Sequence, residues 1–405
     1  MNGRKCLRRG VVALLAIIPA VIAVGTETGS ASAASSSTIQ IGLITSVNDP
    51  ALSFPQLPQA ARAAVDYINA HGGVKGHKMV LDFCDDQNDP STASQCANTL
   101  VNTDHVVAIV GTEGAQQTNY FPYLQAAGVP LFCNTPVVPL ETTSNLSFPC
   151  SAGAAGFYNM GLVVPKGTTK LGYVGYAGLP PYNAEVAQSL KQAGIHASID
   201  LVTAPETTTN WTPIVSQLKQ AGVQGVIMQL AGASDAAVIT AGGQIGLKVP
   251  FMTTSGAVIP QTIQAATNAH ITFDVASQFI LNPKQNKTRA AMVAQLKKYA
   301  PGIVDTVSDG AVDAWLGPTL IAKAGNSGAL KNFTASGIKS WLSKQSDLKT
   351  GMGAALNFTK AGPISGQPRI VNVYGIPAVG QNQTLIPTSV VFKSLVPGAS
   401  PPSGT

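Results

Sequence analysis

Short apolar runs alternate with longer stretches of helical periodicity through most of this chain. Ile39 to Ile44 (IQIGLI), Met79 to Phe83, Val106 to Val110 and Leu131 to Cys133 are runs of strand length. Between them, Leu57 to Ala70 sets Leu57, Ala60, Ala61, Ala64, Val65 and Ile68 on one helical face. Residues 90 to 103 do the same with Ala93, Cys96, Ala97, Leu100 and Val101. The segment from Gly76 to Gly114 shows the unit most fully, as strand, loop, helix and strand. Its first strand ends in the turn-forming DDQNDP, and Asp89 is placed to cap a helix whose first residue is Pro90, where a missing N–H costs nothing. The run Val106 to Val110 then stops at Gly111, as a parallel strand buried on both faces would. A helix is expected from about Gln117 to Ala127 before Gly128-Val129-Pro130 leads into the next strand.

The pattern then restarts. Leu171 to Tyr176, Ile199 to Val202, Val223 to Met228 and Val249 to Thr253 read as strands, with helices at Asn183 to Ala193, Thr212 to Ala221 and Ala236 to Ile245. This is the order already met over residues 39 to 133, so the expected fold class is α/β with two similar doubly wound lobes. From Ile271 onward a strand is expected at Phe273 to Ile280, helices at about Lys287 to Tyr299, Gly310 to Ala324 and Thr334 to Ser343, and late strands at Asn357 to Phe358 and Arg369 to Gly375. The chain end, 391–405, reads as a flexible tail. Open α/β sheets bind ligands outside the carboxyl ends of their strands, which makes Thr112 to Gln116 the first place to look.

Composition adds the compartment. A chain of 405 residues with 45% apolar and 11% charged residues can bury large cores. Residues 1–33 combine a basic start, the apolar stretch VVALLAIIPAVIAV and a small-residue end at Ala31-Ser32-Ala33, the three parts of a signal peptide cleaved near Ala33. Export follows, by the general or the twin-arginine route. Removing that segment lowers the formal charge from +6 to +3, and no basic cluster remains to suggest nucleic acid. Four cysteines are left, Cys84, Cys96, Cys133 and Cys150, an even number in an exported chain and therefore two expected disulfides. Three connectivities are open. Cys84 with Cys96 is favoured because a strand end and the first turns of the following helix are neighbours, which leaves Cys133 for Cys150.

Other chemistry lacks its signatures. Asp85, Asp86, Asn88 and Asp89 miss the glycine and distal glutamate of a calcium loop, so turn and capping roles are expected. The five histidines have no metal-ligand spacing, and no G-x-S-x-G, Walker or G-x-G-x-x-G motif occurs. Neither a metal nor a cofactor is expected, and the protein is read as a non-enzyme. Trp211 is expected in the core.

Several stretches carry a family resemblance: IQIGLIT (Ile39 to Thr45), INAHGGVKGHKMVLDFCDDQNDPSTA (Ile68 to Ala93), AAGVPLF (Ala126 to Phe132), NWTPIVSQLKQAGVQGVI (Asn210 to Ile227) and LNFTKAGPISGQPRIVNVYGI (Leu356 to Ile376). Over about residues 38 to 380 the chain resembles the type I periplasmic solute-binding proteins of ABC transporters, in particular the branched-chain amino-acid-binding group. The resemblance implies one lobe of 38–154 plus 275–358 and another of 155–274 plus 359–390, joined by three crossovers and closing on a small solute. The glycine-rich run Gly153 to Gly161 falls at a crossover and is expected to act as a hinge. The implied partners are a small-molecule solute and an ABC transporter membrane permease, with the protein monomeric and extracytoplasmic. The alternative function is an extracytoplasmic ligand sensor that presents its bound state to a membrane receptor.

The resemblance also implies site positions. The loop that holds the solute carboxylate falls on Thr112, Glu113, Ala115 and Gln116, with the family's serine replaced by Ala115. The next loop falls on Asn134 and Thr135, with Val137 in place of a threonine. In the second lobe Tyr182 matches a helix-start tyrosine, Ala231 stands at an aromatic position, and Ser255 replaces the acidic residue that binds the ammonium group. A buried ammonium needs a carboxylate partner. Without one at 255 the expected ligand is a less charged or more apolar molecule, unless Glu113 supplies the charge from the other lobe.

Overall fold

The computed structural model describes residues 38–49, 52–256, 258–305 and 308–399. The expected signal segment, 1–33, lies outside the described residues.

The first half runs β1 (Ile39–Thr45), α1 (Gln56–Ala70), β2 (Met79–Asp85), α2 (Pro90–Asn102), β3 (Ile109–Val110), α3 (Gln117–Ala127), β4 (Leu131–Phe132), α4 (Pro139–Thr143) and β5 (Ser147–Phe148). A 3₁₀ helix at Gly153–Leu162 follows. The second run is β6 (Lys170–Tyr176), α5 (Asn183–Gln192), β7 (Ser198–Ala204), α6 (Thr212–Gln220), β8 (Val226–Gln229), α7 (Gly232–Gln244), β9 (Phe251–Thr254), α8 (Pro260–Ala269) and β10 (Phe273–Ser277). Helices α9 (Lys287–Tyr299), α10 (Asp309–Ser327) and α11 (Ala335–Leu342) come next, then the hairpin β11 (Ile376–Gln381) and β12 (Thr384–Pro387).

These strands form two sheets. One is parallel with order β2-β1-β3-β4-β5. The other has β7-β6-β8-β9-β10 in parallel, extended by the antiparallel pair β11 and β12. Both parallel parts share one topology, with the direction of strand addition reversing beside β1 and beside β6. A doubly wound sheet opens its crevice at that reversal. The chain passes between the sheets three times, after β5, after β10 and before β11. On the second passage it returns α9 and α10 to pack on α1. Helix α10 is buried along most of its length, so it acts as a second core layer under the first sheet.

Local signals formed as expected in several places. The Asp89 side chain accepts the Thr92 N–H at 2.8 Å and caps α2, with Pro90 at its first position. Asp85 accepts the Val47 and Gln87 N–H groups, and Asp86 accepts that of Asn88, so this acidic loop is a set of turns. Trp211 is buried in the core. Cys84 bonds Cys96 and Cys133 bonds Cys150.

Two expectations need correction. Residues 369–375 are not a strand: the Arg369 N–H donates to Thr142 O and that of Ile370 to Gln367 O, and pairing is limited to a single bridge at Gly375. Their apolar character serves a small cluster of Ile364, Ile370, Val373 and Val396. The start of the expected tail is packed, since Phe392 and Val396 are buried and Lys393 pairs with Gly375. The run 153–161 lies at the passage after β5, as expected, and its glycines also allow close packing. A Cβ on Gly153, which has a φ of +52°, would overlap Pro136, and one on Gly161 would lie 2.6 Å from the Ser189 carbonyl oxygen.

Candidate ligand-binding cleft

The loop after β3 is held from both sides. Gly111 has a φ of +62°, and a Cβ there would overlap the backbone of Ala314 in α10. Thr112 is fully buried, and its hydroxyl donates to the Ile44 carbonyl. The Thr45 hydroxyl donates to Glu113 O at 2.6 Å, and the Thr135 N–H donates to Thr112 O at 2.9 Å. The ends of β1, β3 and β4 are thereby tied into one rigid edge. The next loop is ordered by Glu141, which accepts the Val137 and Val138 N–H groups and an Asn134 amide proton.

From the second sheet comes Tyr182, at the start of α5, stacked on Phe157 with ring centroids 5.5 Å apart. Its hydroxyl donates to Val137 O at 3.3 Å, across the gap between the lobes. Beside it the Tyr176 hydroxyl donates to Ser234 Oγ at 2.8 Å. A second link between the lobes joins the loop after β9 to α10: the Asp309 N–H donates to Ser255 O at 2.8 Å, and Ser255 Oγ donates to Asp309 Oδ2. At the lip, an Asn88 amide from one lobe hydrogen-bonds Glu206 from the other.

Between these edges lies a cavity of about 110 Å³. Glu113, Ala115, Thr135, Val137 and Phe54 line it from the first lobe, and Tyr176, Leu179, Tyr182, Ala231 and Thr254 from the second, with Phe157 of the passage between them. A family model described as periplasmic binding protein matches residues 38–373. The chain belongs to the periplasmic binding protein family. Leu/Ile/Val-binding protein homolog 3 of Brucella melitensis biotype 1 is 38% identical to it over 91 residues, 22% of this chain and 24% of that protein. The chain thus matches about a quarter of that curated relative's length. Two solved structures share the fold. The fatty acid ABC transporter substrate-binding protein from Thermomonospora curvata has a TM-score of 0.73 at 18% identity, over 91% of this chain and 96% of that one. An ABC transporter solute-binding protein from R. palustris, in complex with 4-hydroxybenzoate, has a TM-score of 0.69 at 19% identity, over 89% and 98%. Those likenesses show the two-lobed type I architecture.

In this periplasmic binding protein, the expected site residues divide. Glu113, Ala115, Thr135, Tyr182 and Ala231 line the cavity. Thr112, Gln116, Asn134 and Ser255 do not. Thr112 and Asn134 are spent on the loop bonds given above. The Gln116 amide donates to Asn88 O at 2.9 Å, and Ser255 is turned to Asp309. Sequence reasoning missed Leu52, Phe54, Phe157, Leu179, Gln229 and Thr254 as lining residues. Leu52 and Phe54 precede α1 without periodicity, and Phe157 sits in the glycine-rich run. Gln229 and Thr254, at the ends of β8 and β9, stand where the carboxyl-end rule points.

One lining carboxyl, Glu113, has three buried acids around it. Burial raises the Glu113 carboxyl well above the ordinary range, with Asp309 and Glu141 adding to it. Asp309 is pushed up to about 7 by burial, although the Ser255 hydroxyl and the Gln278 N–H favour its charged form. Asp313, one turn further along α10, is raised by burial while accepting from Ser151 and Thr135. Glu141 is pushed up to about 7 by burial against its three donors. No arginine, lysine or histidine is among the described lining residues. A carboxylate-bearing solute therefore meets no cationic side chain on these walls.

Proposed function

We propose that this protein captures a small organic solute with a mostly apolar body in the cleft between its lobes and delivers it to the membrane permease of an ABC transporter. The supporting observation is the cavity itself, which both lobes line and which the Tyr182 to Val137 bond closes. Closure on a solute that touches both lobes stabilises the shape a permease recognises. The cavity is near the scale of one that holds benzene, about 150 Å³, so a single ring or a short branched chain fits the dimensions. Two disulfides suit an oxidising, extracytoplasmic setting. No helix among the described residues is long and apolar enough to cross a membrane. The fatty-acid and 4-hydroxybenzoate proteins named above lend the reading support by fold alone.

A thermal-shift screen of the secreted protein against amino acids, amines, small carboxylates, amides and apolar ring compounds tests this. A true ligand at 100 times its Kd adds about 2.7 kcal/mol of stability, a clear rise in melting temperature. Silence across the panel would sink the proposal. Hits confined to leucine, isoleucine and valine would keep the binding function and overturn the expectation drawn from Ser255 and Ala231.

A further inference from the structure

We infer that the solute carries a protonated amine, that this amine is received by Glu113, and that the rest of the molecule is apolar. The inference rests on the binding function proposed above and names its ligand class.

Glu113 is 6% exposed and lines the cavity, with Oε2 packed against Gly310 of α10 without a hydrogen-bond partner and Oε1 on the side of Gly256, a lining residue. A buried carboxyl is rarely left so, and one that borders a binding chamber marks what a ligand must bring. What is missing here is a donor. Among the described residues the walls supply no cation: tyrosines apart, the ionisable groups in the lining and directly behind it are acids. Asp309 and Asp313 stand behind Glu113 on α10, each with Oδ1 unpartnered, and Glu141 holds the adjoining loop. Asp235 lies buried in α7 on the second lobe, also with Oδ1 unpartnered. A carboxylate at this wall would join three buried acids, whereas one ammonium group would pair with the first of them and ease the others.

The lip repeats the preference independently. Asp49 accepts the N–H of Leu52, a lining residue, and the loop Asp85, Asp86 and Asp89 stands beside it. Glu206 approaches the same lip from the second lobe, next to Gly178, which adjoins the lining residue Leu179. Without its expected signal segment the chain still has a formal charge of +3, so this local acidity is set against the average. Such an arrangement concentrates small cations at the entrance. Within, the Phe157 and Tyr182 stack, Tyr176, Leu179 and Ala231 offer aromatic and aliphatic surface and no further charge.

In the empty cleft burial, Asp309 and Glu141 favour the neutral form of Glu113. Arrival of RNH3+ makes the anion the favoured form, so Glu113 gives its proton to solvent and the amine keeps its own. One proton leaves for each amine bound.

Calorimetric titration of the secreted protein with 2-phenylethylamine and isopentylamine, beside 2-phenylethanol, isopentanol, 3-phenylpropionate and 4-methylpentanoate, decides the matter. The amines should bind at least tenfold tighter than the alcohols, and the carboxylates weakest. Repeating the amine titrations in two buffers of different ionisation heat should show release of about one proton. Glu113→Gln should bring amine affinity down to that of the alcohol. Alcohols or carboxylates binding as tightly as amines would overturn the inference while leaving the solute-binding function standing. So would amine binding without proton release, a readout that needs no variant. Silence toward all three series would overturn both.

Discussion

The Tyr182 hydroxyl donates to the Val137 carbonyl at 3.3 Å, joining the start of α5 in one lobe to the loop after β4 in the other. Glu141 holds Val137 from behind through its backbone N–H at 2.8 Å, and Phe157 holds the Tyr182 ring. The bond is therefore made between two ordered partners, where a hydrogen bond contributes most directly to closure.

Removing that hydroxyl should loosen closure without disturbing the stack. Tyr182→Phe loses about 1 kcal/mol and should weaken binding of any solute found in the screen about fivefold, read by titration. Tyr182→Ala also loses the ring contact and should weaken it more. Equal effects from the two would show that the hydroxyl, and not the ring, carries the whole contribution.

Acid pH should stabilise the folded protein. Asp309 and Glu141 are each pushed up to about 7 from ordinary values near 4, so the folded state holds protons that the unfolded state releases between those limits. Their contribution is fully present below the unfolded value and is lost as pH rises through about 7. Urea midpoints measured at pH 8, 7, 6 and 5 should rise in that order, and Asp309→Asn should flatten the trend.

Two glycine substitutions separate crowding from backbone strain. Gly111→Ala would overlap Ala314 as well as holding a φ of +62°, whereas Gly167, with a φ of +84°, has nothing within 4 Å of an added Cβ. The strain alone costs about 1–2 kcal/mol, so Gly167→Ala should remain folded with a modest loss. Gly111→Ala should lose clearly more, because the α10 backbone must move. Chemical denaturation of both variants reads the difference.

The bond between Cys133 and Cys150 closes 17 residues of sequence and borders Thr135 and Ser151, the two donors to Asp313. A loop of that size is worth about 3 kcal/mol. The double variant Cys133→Ser/Cys150→Ser should lose about that much in denaturant unfolding. It should also weaken solute binding, since Thr135 lines the cavity. An unchanged denaturation midpoint would show that packing alone holds this edge.

What could be read before folding was what repeats locally. Apolar runs of strand length and helical faces predicted two α/β lobes, and short-range chemistry predicted the Asp89 cap and the Cys84 to Cys96 pair, whose partners lie 12 residues apart. Parallel strands buried on both faces write themselves as continuous apolar runs, and caps act within one turn, so neither needs distant partners to be legible. The late strand expected at 369–375 failed for the same reason, since an apolar run reports burial but not whether a ladder partner stands beside it.

The site was decided elsewhere. Ser255 is turned to Asp309, 54 residues away, and Asp313 takes its donors from Ser151 and Thr135, 162 and 178 residues away. Glu113 faces a cavity and not solvent because α10 returns across Gly111 and closes the wall behind it. No periodicity along the chain encodes such contacts. The sequence by itself determined the two lobes, their strands and helices and the covalent pair at the end of β2, because those follow from spacing. Only the tertiary structure decided which carboxyls gather at the cleft and which loop residues line the cavity, because burial without a partner is a property of the assembled lobes.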